Sequence, residues 1–374
     1  MDKTITDFFI SLVTIDSESK NEKATALKLE EDLKKLGAKV QYDNAHKKTD
    51  GNIGNLYAYF PGNIEKLPIL LCAHLDTVTP GNNIKPQIMD DKIFSDGTTI
   101  LGADDKSGVA AIIWAIKELK ENNEDHAPIE ALFTISEEIG LLGAKHLDYS
   151  LIKSKIGYAF DGHHVGQITI GAPSQNSMKY TIHGKESHAG VAPEQGIHAI
   201  KITSEAIAAM PMGRIDEETT CNVGVIKGGT ATNIIPNLVV LKAEARSHNE
   251  DKLKQITEQM SDALLKTADK YKLDGFQAKV NIEIEKSYQA FKLKDDDDVI
   301  HLAKKASENC GFEFKTNIGG GGSDANIFNV HGLKMAVAGT GMEKVHTVDE
   351  YIAISDLENC VKWTKEVIRE YSRT

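Results

Sequence analysis

Apolar residues recur at helical spacing near the start of the chain, where Ile5, Phe8, Phe9 and Leu12 make one face. A second stripe of Ala26, Leu27, Leu29, Leu33 and Leu36 runs from Asn21, which can cap a helix, to Gly37, which can end one. Val40 and the apolar stretches 53–60, 68–73, 129–135 and 156–160 read as strands. Between them Val109, Ile112, Ile113, Ile116 and Leu119 recur at helical spacing after Lys106. Strands alternating with helices predict an α/β fold with a helix-covered, mostly parallel sheet.

From Ser177 the rhythm changes. Residues 178–182 alternate like a half-exposed strand, 221–226, 235–245 and 278–284 are further strands, and 196–210 and 251–271 are helices. This is α+β patterning, an antiparallel sheet covered by two helices. Beyond the acidic run Asp295 to Asp298, a helix at 299–309, a strand at 334–337 and a C-terminal helix from Ile354 return to the first pattern. The expected organisation is a discontinuous catalytic domain, 1–176 and 288–374, with an inserted lid domain, 177–287.

Composition narrows the classes of function. The chain has 374 residues, 41% of them hydrophobic, enough for a core in each of two domains. A formal net charge of -12, with Lys and Arg interleaved among acids, argues against a nucleic-acid partner. The first 20 residues lack a basic start followed by an apolar stretch, and no apolar run approaches a bilayer span, so no membrane partner and a cytoplasmic location are expected. Cys72, Cys221, Cys310 and Cys360 are scattered without a CxxC pair, so a metal site here must use histidine and carboxylate ligands.

The chemistry gathers where apparent strands end. Asp104 and Asp105, in Gly102-Ala-Asp-Asp-Lys-Ser-Gly108, stand where an extended segment hands over to a helix start, a place that tolerates negative charge. One cap explains one aspartate, and the second suggests a cationic partner such as a divalent metal. His74 closes the stretch 68–73, and Asp76, two residues on, points the same way in an extended chain and can hold the far ring nitrogen. A core histidine satisfied by a nearby carboxylate is an equal alternative. Glu137 and Glu138 follow the strand at 129–135 and face opposite ways, so one can ligate a metal while the other takes a proton from water, although a solvated loop pair is the ordinary reading of two adjacent glutamates. Asp161, before Gly162, could be a turn residue, and His346 a surface histidine.

Taken together, His74-Leu-Asp76-Thr-Val, the Gly102 to Gly108 stretch, Ser136-Glu-Glu-Ile-Gly, Phe160-Asp-Gly, Ser187-His-Ala-Gly190 and the late His346 come in the order of the M20 family of co-catalytic metallopeptidases. The resemblance covers essentially the whole chain, and GADDKSG and SEEIGLLGA are most similar to the peptidase T-like branch, whose members act on tripeptides. It implies two zinc ions, one held by His74 and Asp161, the other by Glu138 and His346, with Asp104 bridging. Glu137 is then the general base acting on a metal-bridging water, and Asp76 orients His74. The motif also implies a cis peptide between Asp104 and Asp105. The family's lid supplies a histidine, an asparagine and an arginine to the substrate, which fall on His188, Asn233 and Arg246. Loop cap, turn residue and exposed charge are their ordinary readings.

The span from His74 to Asp104 is shorter than in tripeptidases proper, which bears on substrate length and end recognition. The same centre would serve a deacylase or carboxypeptidase acting on N-acyl amino acids, and a non-catalytic peptide-binding protein would predict losses among the ligands or Glu137. A short peptide substrate is expected. The alternating strands of 177–287 leave sheet edges that a homodimer would cover, with His188 serving the other chain's site. The glycines at 319–322 are followed by no Lys-Ser/Thr, so close backbone approach to substrate or metal is expected there rather than phosphate binding.

Overall fold

A computed structural model describes residues 4–374. The chain divides into two compact units, one running from Thr4, the first described residue, to Gly171 together with Lys292–Gly319 and Ser323–Thr374, the other made of Ala172–Phe291 with Gly320–Gly322. Residues 1–3 of the expected catalytic domain lie outside the described residues.

The first unit is an α/β fold built on an eight-stranded sheet. Its middle is three adjacent parallel strands, Ile129–Thr134, Ile69–His74 and Ile156–Gly162, the last of which pairs in parallel with Lys334–Gly339. Antiparallel pairings occur toward the margins, where Lys39–Tyr42 and Leu56–Phe60 extend one side. All six residues of Ile69–His74 and of Ile129–Thr134 are buried, as expected of strands covered on both faces, and this is why they read as largely apolar; the acidic exception, Glu130, is satisfied by the Tyr57 hydroxyl and by Ser154. The helices Ala103–Glu121 and Ile354–Arg373 pack on each other, and Trp363 meets the rings of Tyr158 and Phe160 edge-on at 5.3 and 6.0 Å.

Gly108, in the first turn of Ala103–Glu121, has room for no side chain. A Cβ there would lie 2.6 Å from the Phe160 carbonyl oxygen, so glycine lets the helix start sit directly on the strand that carries Asp161. The second helix runs Lys23–Lys35 with Glu22, not Asn21, at its N-cap; the Asn21 amide donates to the Glu18 carbonyl, and the Glu22 carboxylate is spent elsewhere. A small sheet of Met342–Glu343, Tyr351–Ala353, Lys92–Phe94 and Gln87–Met89 was not legible, because its strands are too short to show a period.

The second unit is a five-stranded antiparallel sheet whose long members are Thr219–Gly228, Leu238–Ser247, Ser174–His183 and, at one edge, Lys279–Tyr288. Met178, Tyr180 and Ile182 alternate inward onto the helices Ala199–Ala209 and Glu250–Ala268, where they join Ile202, Leu241 and Met260 in a core. Ser174–His183 begins before residue 177 and Lys279–Tyr288 ends after 287, since pairing continues past the apolar positions that marked them. Among the described residues no helix is long and apolar enough to cross a membrane.

Candidate metal centre

Three adjacent strands deliver the site. His74 is the last residue of the central one, Asp161 lies at the end of Ile156–Gly162 on one side, and Glu137 and Glu138 follow Ile129–Thr134 on the other. Open α/β sheets place ligands beyond the carboxyl ends of their strands, where backbone direction brings successive loops together. Asp104 comes from the helix start, where its own and Asp105's backbone angles are not helical and the peptide between them is cis. His346 arrives on the turn after Met342–Glu343, itself in left-handed conformation at φ 63.

The side chains converge closely. Asp104 Oδ1 lies 3.0 Å from His74 Nε2, and its other oxygen, Oδ2, lies 3.2 Å from His346 Nε2. His346 Nε2 is in turn 3.0 Å from Glu138 Oε1. One donor atom from each of His74, Asp104 and Glu138 falls within 4.8 Å of the others. Asp161 shares a small cavity with His74, Asp105, Glu137 and Asp324.

His74 Nδ1 lies 2.9 Å from the carbonyl oxygen of Asp76, which can only accept, so Nδ1 carries a hydrogen, and a neutral ring would turn the lone pair of Nε2 toward the Asp104 carboxylate. A lone pair against a carboxylate oxygen is repulsive unless positive charge lies between them. Burial opposes a proton on His74, but Asp104 and Asp76 outweigh it and raise the pKa well above the usual imidazole value. His346 is pushed up to about 10 by its hydrogen bonds to Asp104 and Glu138. Burial would raise the Asp104 carboxyl, yet His346 and His74 hold it well below the ordinary range.

The surrounding carboxylates show the opposite trend. Burial drives Glu137, Asp105 and Asp161 well upward against the pull of His74, and each is raised further by neighbouring acids, Asp161 by Asp104 and both Glu137 and Asp105 by Asp161. The pocket therefore holds more negative charge than its own residues neutralise. It calls for cations where the two imidazoles face Asp104, and the nitrogen and oxygen donors suit a borderline-to-hard divalent ion. Ligand bonds of about 2.0 to 2.2 Å set neighbouring ligand atoms of a tetrahedral ion roughly 3.4 Å apart, close to the spacing of this set. The donor set of His74, Asp104 and Glu138 fits a divalent metal ion.

Asp76 differs from expectation. Its carboxylate stands 3.5 Å from His74 Nδ1, so the ring is held by the Asp76 backbone carbonyl instead. The carboxylate accepts the Glu137 amide at 2.9 Å, the Glu138 amide at 3.2 Å and the Ser19 hydroxyl at 2.6 Å. Just before them Ser136, left-handed at φ 52, sends its amide to Glu22 Oε1 at 3.0 Å and its hydroxyl to the same oxygen at 3.1 Å. Consecutive amides of the Ser136–Glu138 turn are thus fastened to two buried carboxylates, which fixes the backbone from which Glu137 lines the cavity with Asp161 and Glu138 reaches His346.

Sequence reasoning missed Glu22, Asp324 and Glu350, and singled out Asp105 without giving it a task of its own. Asp105 accepts the His74 amide at 3.1 Å and the Gly108 amide at 3.2 Å, so the second aspartate of the pair ties the helix start to the ligand strand. Asp324 accepts the Thr134 hydroxyl at 2.6 Å, and burial pushes its pKa up to about 6. Glu350 accepts amides from the Gly102 loop. Nothing in the spacing of Glu22, Asp324 or Glu350 marks them, and Asp324 is the single acid in its stretch, Gly319 to Phe328.

The remaining expected residues belong to the second unit. His188, exposed, lies on Ser187–His188, which pairs with Ile234–Ile235, and the Asn233 carbonyl accepts the Ala189 amide at 2.9 Å, so the His188 and Asn233 loops are neighbours. The Arg246 guanidinium forks onto Glu244 at 3.1 and 3.0 Å, so a substrate carboxylate would have to compete with Glu244 for it. The close backbone approach expected of the glycine run is to a side chain of the same unit: a Cβ on Gly322 would lie 2.3 Å from the Tyr288 ring.

The description "Peptidase family M20/M25/M40" matches residues 70–370. A tripeptidase from Staphylococcus aureus subsp. aureus Mu50 superposes with a TM-score of 0.92 at 39% identity, covering 99% of this chain and 98% of that one. An aminopeptidase PepT from Bacillus cereus ATCC 10987 gives 0.85 at 42% identity over 98% and 97% of the two chains. The uncharacterized protein YqjE of Bacillus subtilis strain 168 is 41% identical over 373 residues, 100% of this chain and 99% of that protein. With a family match over residues 70–370 and near full-length likeness to peptidases of the same architecture, this chain belongs to peptidase family M20, as a metallopeptidase.

Proposed function

We propose that this protein is a di-zinc aminopeptidase that hydrolyses short peptides, tripeptides among them, as the names of its tripeptidase and PepT neighbours suggest. The observation that carries the reading is Asp104, whose two oxygens each face a different imidazole, with Glu138 beside the second. His74 and Asp161 would hold one ion, Glu138 and His346 the other, and Asp104 both. Zinc bound there supplies Lewis acidity toward the scissile carbonyl and acidity to the attacking water.

The chain's own residues do the rest. Glu137, held by its amide on Asp76, takes the proton from the attacking water at its carboxylate and returns it to the leaving amine. His188 donates to the oxyanion that forms on the substrate carbonyl, and Asn233 and Arg246 orient the peptide. Lys279–Tyr288 is an edge strand that exposes Ile284, and pairing it or covering it in a homodimer would remove an aggregation-prone edge. In that dimer His188 of one chain serves the metal centre of the other.

Asp104→Ala should lose both ions, because it deletes the shared ligand, whereas His346→Ala should chiefly weaken one. Metal content by mass spectrometry decides this, and two ions retained in Asp104→Ala would remove the bridging role. Glu137→Gln keeps its shape but cannot accept the water proton, so a fully metallated variant should lose on the order of 10² to 10⁴ in kcat. Near-normal kcat would reassign the base.

On zinc-reconstituted protein, a panel of free-amine and N-blocked peptides of two to four residues should show turnover confined to free-amine substrates. Faster hydrolysis of N-acyl amino acids would make the enzyme a deacylase or carboxypeptidase. Mixing inactive His188→Ala with inactive Glu137→Gln under subunit exchange should restore activity, since some hybrid sites then combine an intact base with an intact histidine. No recovery despite demonstrated exchange would return His188 to its own chain's site or take it out of the chemistry.

A further inference from the structure

We propose that Glu350 is a positioning residue of the metal centre, a latch that sets the bridging Asp104 against the arm carrying His346. The inference rests on the metal-centre reading above. Glu350 is 1% exposed, yet it has no cationic side chain as a hydrogen-bond partner among the described residues; its carboxylate is used on backbone amides. Oε2 accepts from Leu101 at 2.7 Å and from Gly102 at 2.8 Å, and Oε1 accepts from Asp104 at 3.0 Å.

Those amides are free because the backbone there is not yet helical. Gly102 is left-handed at φ 75, and Asp104 sits at φ -82, ψ 105, at a helix start where the first amides have no carbonyl one turn back to donate to. One buried carboxylate collects the loop that delivers the shared ligand. Its other end is equally fixed. The Glu350 amide donates to the Thr347 carbonyl at 3.2 Å, closing the turn that follows His346, and Tyr351–Ala353 begins at the next residue, paired on one side with Met342–Glu343 and on the other with Lys92–Phe94. His346 and Glu350 are therefore two prongs of one sheet-anchored turn. One prong faces Asp104 Oδ2 and the other grips the Asp104 backbone.

The need for such a grip follows from charge. Asp104 is driven toward the imidazoles by attraction and away from Asp161 and Glu138 by repulsion, and a bridging ligand that drifts spoils both ion sites at once. Outer residues that orient metal ligands are typically worth about 10 to 100-fold in affinity.

The test is a zinc titration by calorimetry of metal-stripped wild type, Glu350→Gln, Glu350→Asp and Asp349→Asn. The glutamine can offer its single oxygen to Leu101 and Gly102 but turns an NH2 toward the Asp104 amide, so zinc affinity should fall about 10 to 100-fold, with activity recovered by excess zinc. The aspartate keeps the charge but withdraws the oxygens by a methylene, and it too should weaken zinc. Asp349→Asn removes an exposed charge from the same turn and should leave affinity unchanged. Wild-type affinity in Glu350→Gln, or a lowered melting temperature of the stripped variants with zinc affinity unaltered, would overturn the latch. Wild type that takes up no zinc would fail the metal-centre reading and the latch with it.

Discussion

The structure is governed by the cost of gathering like charges in a dry place. Asp104, Asp105, Glu137, Asp161 and Asp324 stand around His74 at the buried ends of the central strands, and burial together with mutual repulsion raises most of them. Two carboxylates a few ångströms apart in a poorly solvated pocket repel by several kcal/mol at an effective dielectric of about 20. Protons on the imidazoles relieve part of this, and divalent ions in the same places relieve more. The fold's task is to hold these groups together against their repulsion, so the backbone around them is pinned from outside.

The pins share one chemistry. Glu22 holds Ser136, Asp76 holds Glu137 and Glu138, Asp105 holds His74 and Gly108, and Glu350 holds Leu101, Gly102 and Asp104, in each case through backbone amides. An amide suits a buried carboxylate because it supplies dipole without titrating and its position is set by the chain. The left-handed residues Gly102, Ser136 and His346 are the complement of this arrangement, since such turns aim successive amides inward. Lys106 adds a buried ammonium that donates to the Ile15 carbonyl at 3.1 Å; burial lowers its pKa to about 8 against the pull of Asp16, Glu350 and Asp76.

How much of this was legible follows the same division. Strands with both faces covered announce themselves as apolar runs, and His74, Glu137, Glu138 and Asp161 each follow one, so the α/β fold and the gathering of acids at strand ends could be read directly. Asp104 was legible as half of an acidic pair at a helix start, but which of the pair would face the imidazoles was carried by family likeness, because a turn's side-chain directions are not set by period. Asp76 shows where spacing misleads. Two residues along an extended chain do share a face, but the strand ends at His74, and past it the Asp76 carboxylate turns to the Ser136–Glu138 loop while its carbonyl takes the ring. Glu22 and Glu350 were hidden for a further reason. Their partners lie 114 and 246 to 249 positions away, and an amide acceptor leaves no mark on the identity of the residue that donates.

The two units differ in the same terms. The second unit's core is apolar and alternating, from Tyr180 and Ile182 to Met260, and its charged residues pair outside that core, the half-buried Arg246 with Glu244 and the more open Lys252 with Asp216 and Glu218. Open pairs such as those of Lys252 contribute little to stability, typically below about 1 kcal/mol, whereas the two-pronged Arg246 contact is the stronger geometry. The first unit buries a group of carboxylates and fixes Asp76, Asp105 and Glu350 among them by two or three amides each, so the backbone of its site is preorganised. Groups that act on a scissile bond must be held within a narrow geometry, and backbone amides fastened to carboxylates, as Glu137 and Glu138 are to Asp76 and Leu101, Gly102 and Asp104 are to Glu350, supply that rigidity without adding a further charge to the pocket.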